Sequence, residues 1–227
     1  LSMCMVQLEQ EITRGETPAD PLKKSSFIAR LGSGSASRSI FPYMALWGRT
    51  DLWTGSSDEF AIPLPGFHPT FRDMRDTILI VESGQKKVSS SAGHALMEKN
   101  PFSPVRFSQA RENLQKLQTI LEEGDWTGFI SVLEEEALTL HAMMMTGRPG
   151  YLLMQPNTIA ILRRIMEFRE ETGYRAGFTL DAGANVHLLY SDQDAEAVDH
   201  FIDSELKGYC EKGTLIRDRV GEGPEKI

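Results

Sequence analysis

Residues 176–190, Ala176-Gly-Phe-Thr-Leu-Asp181-Ala-Gly-Ala-Asn185-Val-His-Leu-Leu-Tyr190, decide the fold. Ala176 to Leu180 and Val186 to Tyr190 read as strands, and the small residues from Asp181 to Asn185 make a tight turn between them. Downstream, Ser191 or Asp192 can cap a last helix that places Val198, Phe201 and Ile202 inside. Upstream, three helices are predicted. Phe107, Ala110, Leu114, Leu117 and Leu121 keep helical spacing, as do Trp126, Ile130, Leu133, Ala137, Leu140 and Met144. A third helix, capped by Asn157, carries Ile161, Ile165 and Phe168. Before them the continuous apolar run Thr77 to Val81 reads as a buried strand. Strand, helices, strand, strand, helix is the order of an α+β sandwich with helices on one face of a mainly antiparallel sheet.

Pro63, Pro65 and Pro69 mark a domain edge near residue 70, giving expected domains 1–72 and 73–227. Ahead of that edge, Leu1 to Thr13 reads as a helix with Leu1, Met5, Leu8 and Ile12 on one face and no capping residue in front, so the chain is expected to be a fragment of something longer. Arg14 to Lys24 is a polar connection, Gly32 to Ser39 is a run of small residues, and Ile40 to Trp47 and Phe60 to Leu64 are read as short strands.

Composition narrows the function. The chain has 227 residues, 41% of them apolar, with a net charge of −8 and a pI near 5.2. An acidic balance argues against binding a phosphate backbone, so no nucleic-acid partner is expected. No run approaches the roughly 18 apolar residues a membrane helix needs, and no signal-peptide pattern opens the chain; no membrane partner and a cytoplasmic location are expected. Cys4 and Cys210 stand far apart without metal-ligand spacing, and the five histidines show neither HxxxH nor HExxH, so no metal site is predicted. Met143 to Met145 read as core, and Glu134-Glu135-Glu136 as a solvated helix face.

Three runs could carry chemistry. In Gly32-Ser-Gly34-Ser-Ala-Ser-Arg38-Ser39, the glycines let backbone approach a ligand, Ser33 and Ser35 add hydroxyls, Ala36 to Ser39 could open a helix toward an anion, and Arg38 adds a planar cation. A flexible linker is the competing reading. In Gln85-Lys86-Lys87-Val-Ser89-Ser90-Ser91-Ala-Gly93, two lysines before three hydroxyls could hold a diphosphate, or simply turn the chain into a capped helix. Asp181 either sets a carboxylate at a sheet rim or closes an Asx-turn.

Together, in this order, these runs resemble the diphosphomevalonate decarboxylases of the GHMP kinase superfamily. The likeness rests on Ala29-Arg-Leu-Gly-Ser-Gly-Ser-Ala-Ser-Arg38-Ser39 with Trp47 downstream, on Lys86-Lys87-Val88-Ser89-Ser90 before Gly93, and on Phe178-Thr-Leu-Asp181-Ala-Gly-Ala-Asn185. It implies the rest of a lobe like ribosomal protein S5 domain 2, followed by a ferredoxin-like α/β sandwich. It also implies conversion of mevalonate 5-diphosphate and ATP, with Mg2+ bound to the nucleotide, to isopentenyl diphosphate, ADP, phosphate and carbon dioxide. Under the resemblance Asp181 orients or deprotonates the C3 hydroxyl and Arg38 holds the substrate carboxylate. Ser33, Gly34, Ser35 and Ser90 contact the diphosphate or nearby oxygens, with Lys86, Lys87 and Ser91 as further phosphate contacts. A homodimer is what the family suggests.

Departures stand beside the likeness. Phe41-Pro42-Tyr43-Met44 replaces the family's Gly-Gly-Phe, Ala184 replaces its Pro, and Ser91 stands where Arg or Thr is frequent. The family's ATP-cradling loop, Pro-x-x-x-Gly-Leu-Ala-Ser-Ser-Ala, is not in this sequence, which resembles the last two thirds of such an enzyme. The competing functions are a kinase of the same superfamily that does not decarboxylate, and a non-catalytic module without the nucleotide loop.

Overall fold

The ladder that fixes the larger part of the molecule is β4 (Ala176–Leu180) against β5 (Val186–Tyr190), antiparallel with Phe178 opposite Leu188. The computed structural model describes residues 1–13, 20–84 and 100–224. The chain divides into two units, His68–Arg219 and Leu1–Phe67 with the residues from Val220 onward. The expected division at 72/73 gave the C-terminal residues to the second domain instead.

In the unit from His68, β3 (Arg75–Leu79) pairs with β5, and β6 (Leu215–Arg219) pairs with the other side of β3. The order β4-β5-β3-β6 is antiparallel throughout. That is the split β-α-β-β-α-β arrangement of ferredoxin-like folds, in which each outer strand is reached by a helical crossover. Among the described residues, three helices lie between β3 and β4: α3 (Ser103–Glu123), α4 (Trp126–Met145) and α5 (Pro156–Thr172). α6 (Ala195–Phe201) precedes β6.

Period-2 burial on β4 and β5 sends Phe178, Leu188 and Val186 to one face, where Ile161 and Ile165 of α5 and Val198 of α6 meet them, all fully buried. α4 instead runs along the free edge of β4. The Phe178 N–H donates to Glu134 (3.3 Å), Arg169 donates to the Ala176 carbonyl (2.8 Å), and Arg169 clasps both Glu134 oxygens (2.7 and 3.0 Å). An edge strand is thereby covered rather than left as a template for pairing. Gly177 is required here, since a Cβ would stand 2.7 Å from Ile130.

Several expectations are corrected. Glu134-Glu135-Glu136 is no solvated face: beyond Glu134, Glu135 accepts from Gln109 and Asn113, and Glu136 from Arg106 and Asn113. α3 and α4 meet along this polar seam, so the glutamates sit between helices. The strand read at 77–81 runs from Arg75 to Leu79, because Ile80 and Val81 leave the ladder for Thr214 and Asn185. Gln155, not Asn157, stands at the N-cap of α5, its N–H bonded to the Thr158 hydroxyl (3.1 Å), while Asn157 donates to the Tyr209 carbonyl (3.0 Å). β6 carries only two apolar residues in Leu215-Ile-Arg-Asp-Arg219, which is why alternation does not reveal it.

In the other unit, α1 (Ser2–Ile12) packs against α2 (Pro21–Gly32). The face read from spacing is outward, with Leu1 96% and Ile12 72% exposed; Val6, one step round the helix, is its buried apolar residue, beside the buried Ser2. α2 begins inside the stretch read as a connection, because Asp20 accepts from Lys23 N–H (2.9 Å) and Pro21 presets the first turn. β1 (Ala45–Trp47) and β2 (Ala61–Pro63) form a two-stranded ladder, shorter than the segments read at 40–47 and 60–64.

Candidate active site

In the sheet unit, the β4–β5 turn lines a cavity of about 440 Å³ whose walls include Ile78, Ile80, Glu82, Leu153, Asp181 and His187. The turn closes through its backbone, as the Gly183 N–H donates to the Asp181 carbonyl (2.7 Å). Asn185 ties the turn to the residues that follow β3, its side-chain oxygen accepting from the N–H groups of Val81 (2.9 Å) and Glu82 (3.0 Å). Thr158, fully buried on α5, donates to the Ala184 carbonyl (2.7 Å). His141, buried on α4, donates from Nε2 to the Asp181 carbonyl (3.0 Å). Burial pushes the His141 imidazole below its usual value, against the raising effect of that bond. The Asp181 side chain is exposed at the cavity wall.

A carboxylate on a backbone held this firmly can orient a hydroxyl or stabilise developing charge without first reorganising. Asp181 stands out in the sequence by its place at a strand end, but the residues that hold its backbone do not. His141 lies 40 residues away in a histidine set without metal-ligand spacing, and Thr158 reads as an ordinary first-turn residue. His187 donates from Nδ1 to the Asp76 carboxylate (2.9 Å) across the sheet, another pairing invisible to spacing.

In the other unit, Ser33, Gly34, Ser35 and Arg38 come together on the loop leaving α2. The run is ordered, as a 3-10 turn from Ser35 to Ile40, which replaces the helix expected to open at Ala36. The N–H groups of Ala36 and Ser37 already bond the Ser33 (3.1 Å) and Gly34 (3.3 Å) carbonyls, so they are not aimed at an anion. The turn is fastened from beneath by buried hydroxyls: Ser26 donates to the Ser37 carbonyl (2.8 Å) and accepts from the Ala61 N–H (2.9 Å), and Ser37 donates to the Gly34 carbonyl (2.6 Å). Gly34 is explained by packing, because a Cβ would lie 2.4 Å from the Trp47 ring. Ser33 and Ser35 hydroxyls bond each other (3.0 Å), and the Arg38 side chain is exposed with no hydrogen bond or ion pair among the described residues. Lys86, Lys87, Ser90 and Ser91 lie outside the described residues.

Residues 77–225 match the family model described as the mevalonate 5-diphosphate decarboxylase C-terminal domain. The chain belongs to that family. A diphosphomevalonate decarboxylase of Gibberella zeae is 28% identical over 186 residues, 81% of this chain and 48% of the relative. A mevalonate diphosphate decarboxylase structure from Legionella pneumophila superposes with a TM-score of 0.77 at 28% identity, covering 95% of this chain and 63% of that one. MDDEF in complex with MVAPP, AMPPCP and magnesium superposes with a TM-score of 0.75 at 26% identity, covering 89% and 59%. The chain therefore spans about half the length of the curated relative it matches. The matched span contains the β4–β5 turn that lines the cavity.

Proposed function

We propose that the protein decarboxylates mevalonate 5-diphosphate at the expense of ATP, giving isopentenyl diphosphate, ADP, phosphate and carbon dioxide. The observation that carries this reading is an exposed Asp181 on a backbone pinned at the cavity wall, in a chain matching the decarboxylase family from residue 77 to 225. In the proposed sequence the C3 hydroxyl oxygen forms a bond to the γ-phosphorus as the bond to ADP breaks, and its proton is released. The C3–O bond then breaks to expel phosphate, and the bond to the carboxylate breaks to release carbon dioxide, its electron pair becoming the new double bond.

Asp181 is assigned to the hydroxyl. A carboxylate is a weak base for an alcohol, so its contribution is position and charge stabilisation rather than a separate deprotonation. Arg38 is assigned to the substrate carboxylate, for which its planar fork suits bidentate contact. Ser33, Gly34, Ser35 and Ser90 are assigned to the diphosphate and nearby oxygens, with Lys86, Lys87 and Ser91 as further phosphate contacts. ATP and Mg2+ belong to the proposal too: among the described residues no three His, Cys, Asp or Glu side chains group to hold a metal, and the ion is assigned to the nucleotide phosphates. No helix of the described residues is long and apolar enough to cross a membrane, and a cytoplasmic reaction is the accompanying reading.

The test is product stoichiometry in the protein's full natural chain with mevalonate 5-diphosphate and ATP. Equal release of carbon dioxide and ADP is expected. ADP without carbon dioxide would make the protein a kinase, and neither product would make it a non-catalytic module.

A further inference from the structure

The Asp181 carbonyl joins the β4–β5 turn to α4. His141 reaches it from a site only 1% exposed, with Nε2 3.0 Å from the oxygen. A carbonyl only accepts, so the hydrogen must sit on Nε2. Burial favours the neutral ring, and a neutral imidazole that donates from Nε2 exists as the Nε2–H tautomer. The same carbonyl takes a second bond from the Gly183 N–H at 2.7 Å, so its direction is set from two sides. Thr158 at Ala184 and Asn185 at Val81 and Glu82 fix the other end of the turn. The backbone is thus held from α4, α5 and the end of β3, while the carboxylate it carries stays exposed on the cavity wall. Orientation of the Asp181 carbonyl fixes the peptide plane next to its Cα, and with it the direction in which the side chain leaves the turn.

We infer that His141 is a positioning residue for Asp181, its Nε2–H bond holding the backbone from which the carboxylate is presented to the reacting hydroxyl. This rests on the decarboxylase reading of Asp181. It adds a residue that touches no substrate yet acts on turnover, because a misplacement of about 1 Å at a reacting group can cost on the order of a hundredfold in rate.

Two variants separate the bond from the packing. His141→Met fills similar space without a donor, in a helix that already buries Met143 and Met144. His141→Gln carries an amide nitrogen at close to the reach of Nε2. With mevalonate 5-diphosphate and ATP, His141→Met is expected to lower kcat by about tenfold or more with KM within about threefold, and His141→Gln to recover most of that loss. Nitrogen-15 imidazole shifts of the wild-type protein are expected to show the Nε2–H tautomer. This readout needs no activity, and together with the Gln variant it carries the test if His141→Met does not fold. An Nδ1–H tautomer overturns the inference, as does a Gln variant as slow as the Met variant. Wild-type turnover in His141→Met beside a dead Asp181→Asn also overturns it, while sparing the proposed function. Wild-type turnover in Asp181→Asn removes the role assigned to Asp181, and the inference with it, while the decarboxylation itself stands.

Discussion

The turn at residues 181–185 and the run at residues 32–39 are both made of small and polar residues, yet each is held differently. The turn hangs on side chains from elsewhere, His141 and Thr158 through its carbonyls and Asn185 reaching back to β3, so long-range contacts define its shape. The run is built on its own 3-10 bonds over two buried serines, with Trp47 filling the space beside Gly34, and its cation stands exposed. Small residues serve opposite ends in the two places. In the turn they let buried donors reach the backbone; in the run they let an aromatic ring lie against it. Under the proposed function, Asp181 is organised before substrate arrives, whereas Arg38 takes its orientation from the carboxylate assigned to it.

The largest expected effect tests the foundation of the turn. Glu134 is 8% exposed and bonds both Arg169 and the Phe178 N–H on the strand that leads to Asp181. Arg169→Met leaves that carboxylate buried and uncompensated, and a loss of about 3 kcal/mol in urea unfolding is expected. Little change would show that the β4 edge is held by other contacts. In the run, Arg38→Lys keeps the charge and loses the fork; kcat/KM is expected to fall by an amount corresponding to about 2 kcal/mol, with melting unchanged because the Arg38 side chain has no partner among the described residues. Unchanged kcat/KM would remove Arg38 from the site. The smallest effect is at Gly34→Ala. Its φ of −55° suits alanine, so only the contact with Trp47 opposes it. Trp47 is itself 36% exposed and can shift, so a destabilisation of about 1 kcal/mol is expected by thermal melting. A neutral result would mean that the ring moves without cost.

The same contrast explains what could be read in the sequence. Strands β4 and β5 are legible to the residue because alternation, length and the small-residue turn agree there. β6 is not, since an edge strand with Arg217, Asp218 and Arg219 exposed lacks any apolar period. The start of α2 hides behind Asp20-Pro21, a pair that reads equally as a turn and as a cap with proline at the first helical position. The outward face of α1 shows that spacing reveals a stripe without saying which side of it the neighbouring helix covers. For the candidate site, Asp181 and Arg38 stand out by local pattern, but His141, Thr158 and the Glu134–Arg169 pair act across 26 to 40 residues, and single-sequence spacing carries no information at that range.

The measurement that bears most directly on the account is steady-state kinetics of Asp181→Asn in the full natural chain, with thermal melting alongside. Asparagine keeps the shape and hydrogen-bonding reach of aspartate and removes its charge, and the pinned backbone beneath it is untouched. The account predicts a fall in kcat of at least about a hundredfold, a much smaller change in KM, and an unchanged melt. Near-normal turnover with a normal melt would contradict it, returning Asp181 to a structural role in the turn.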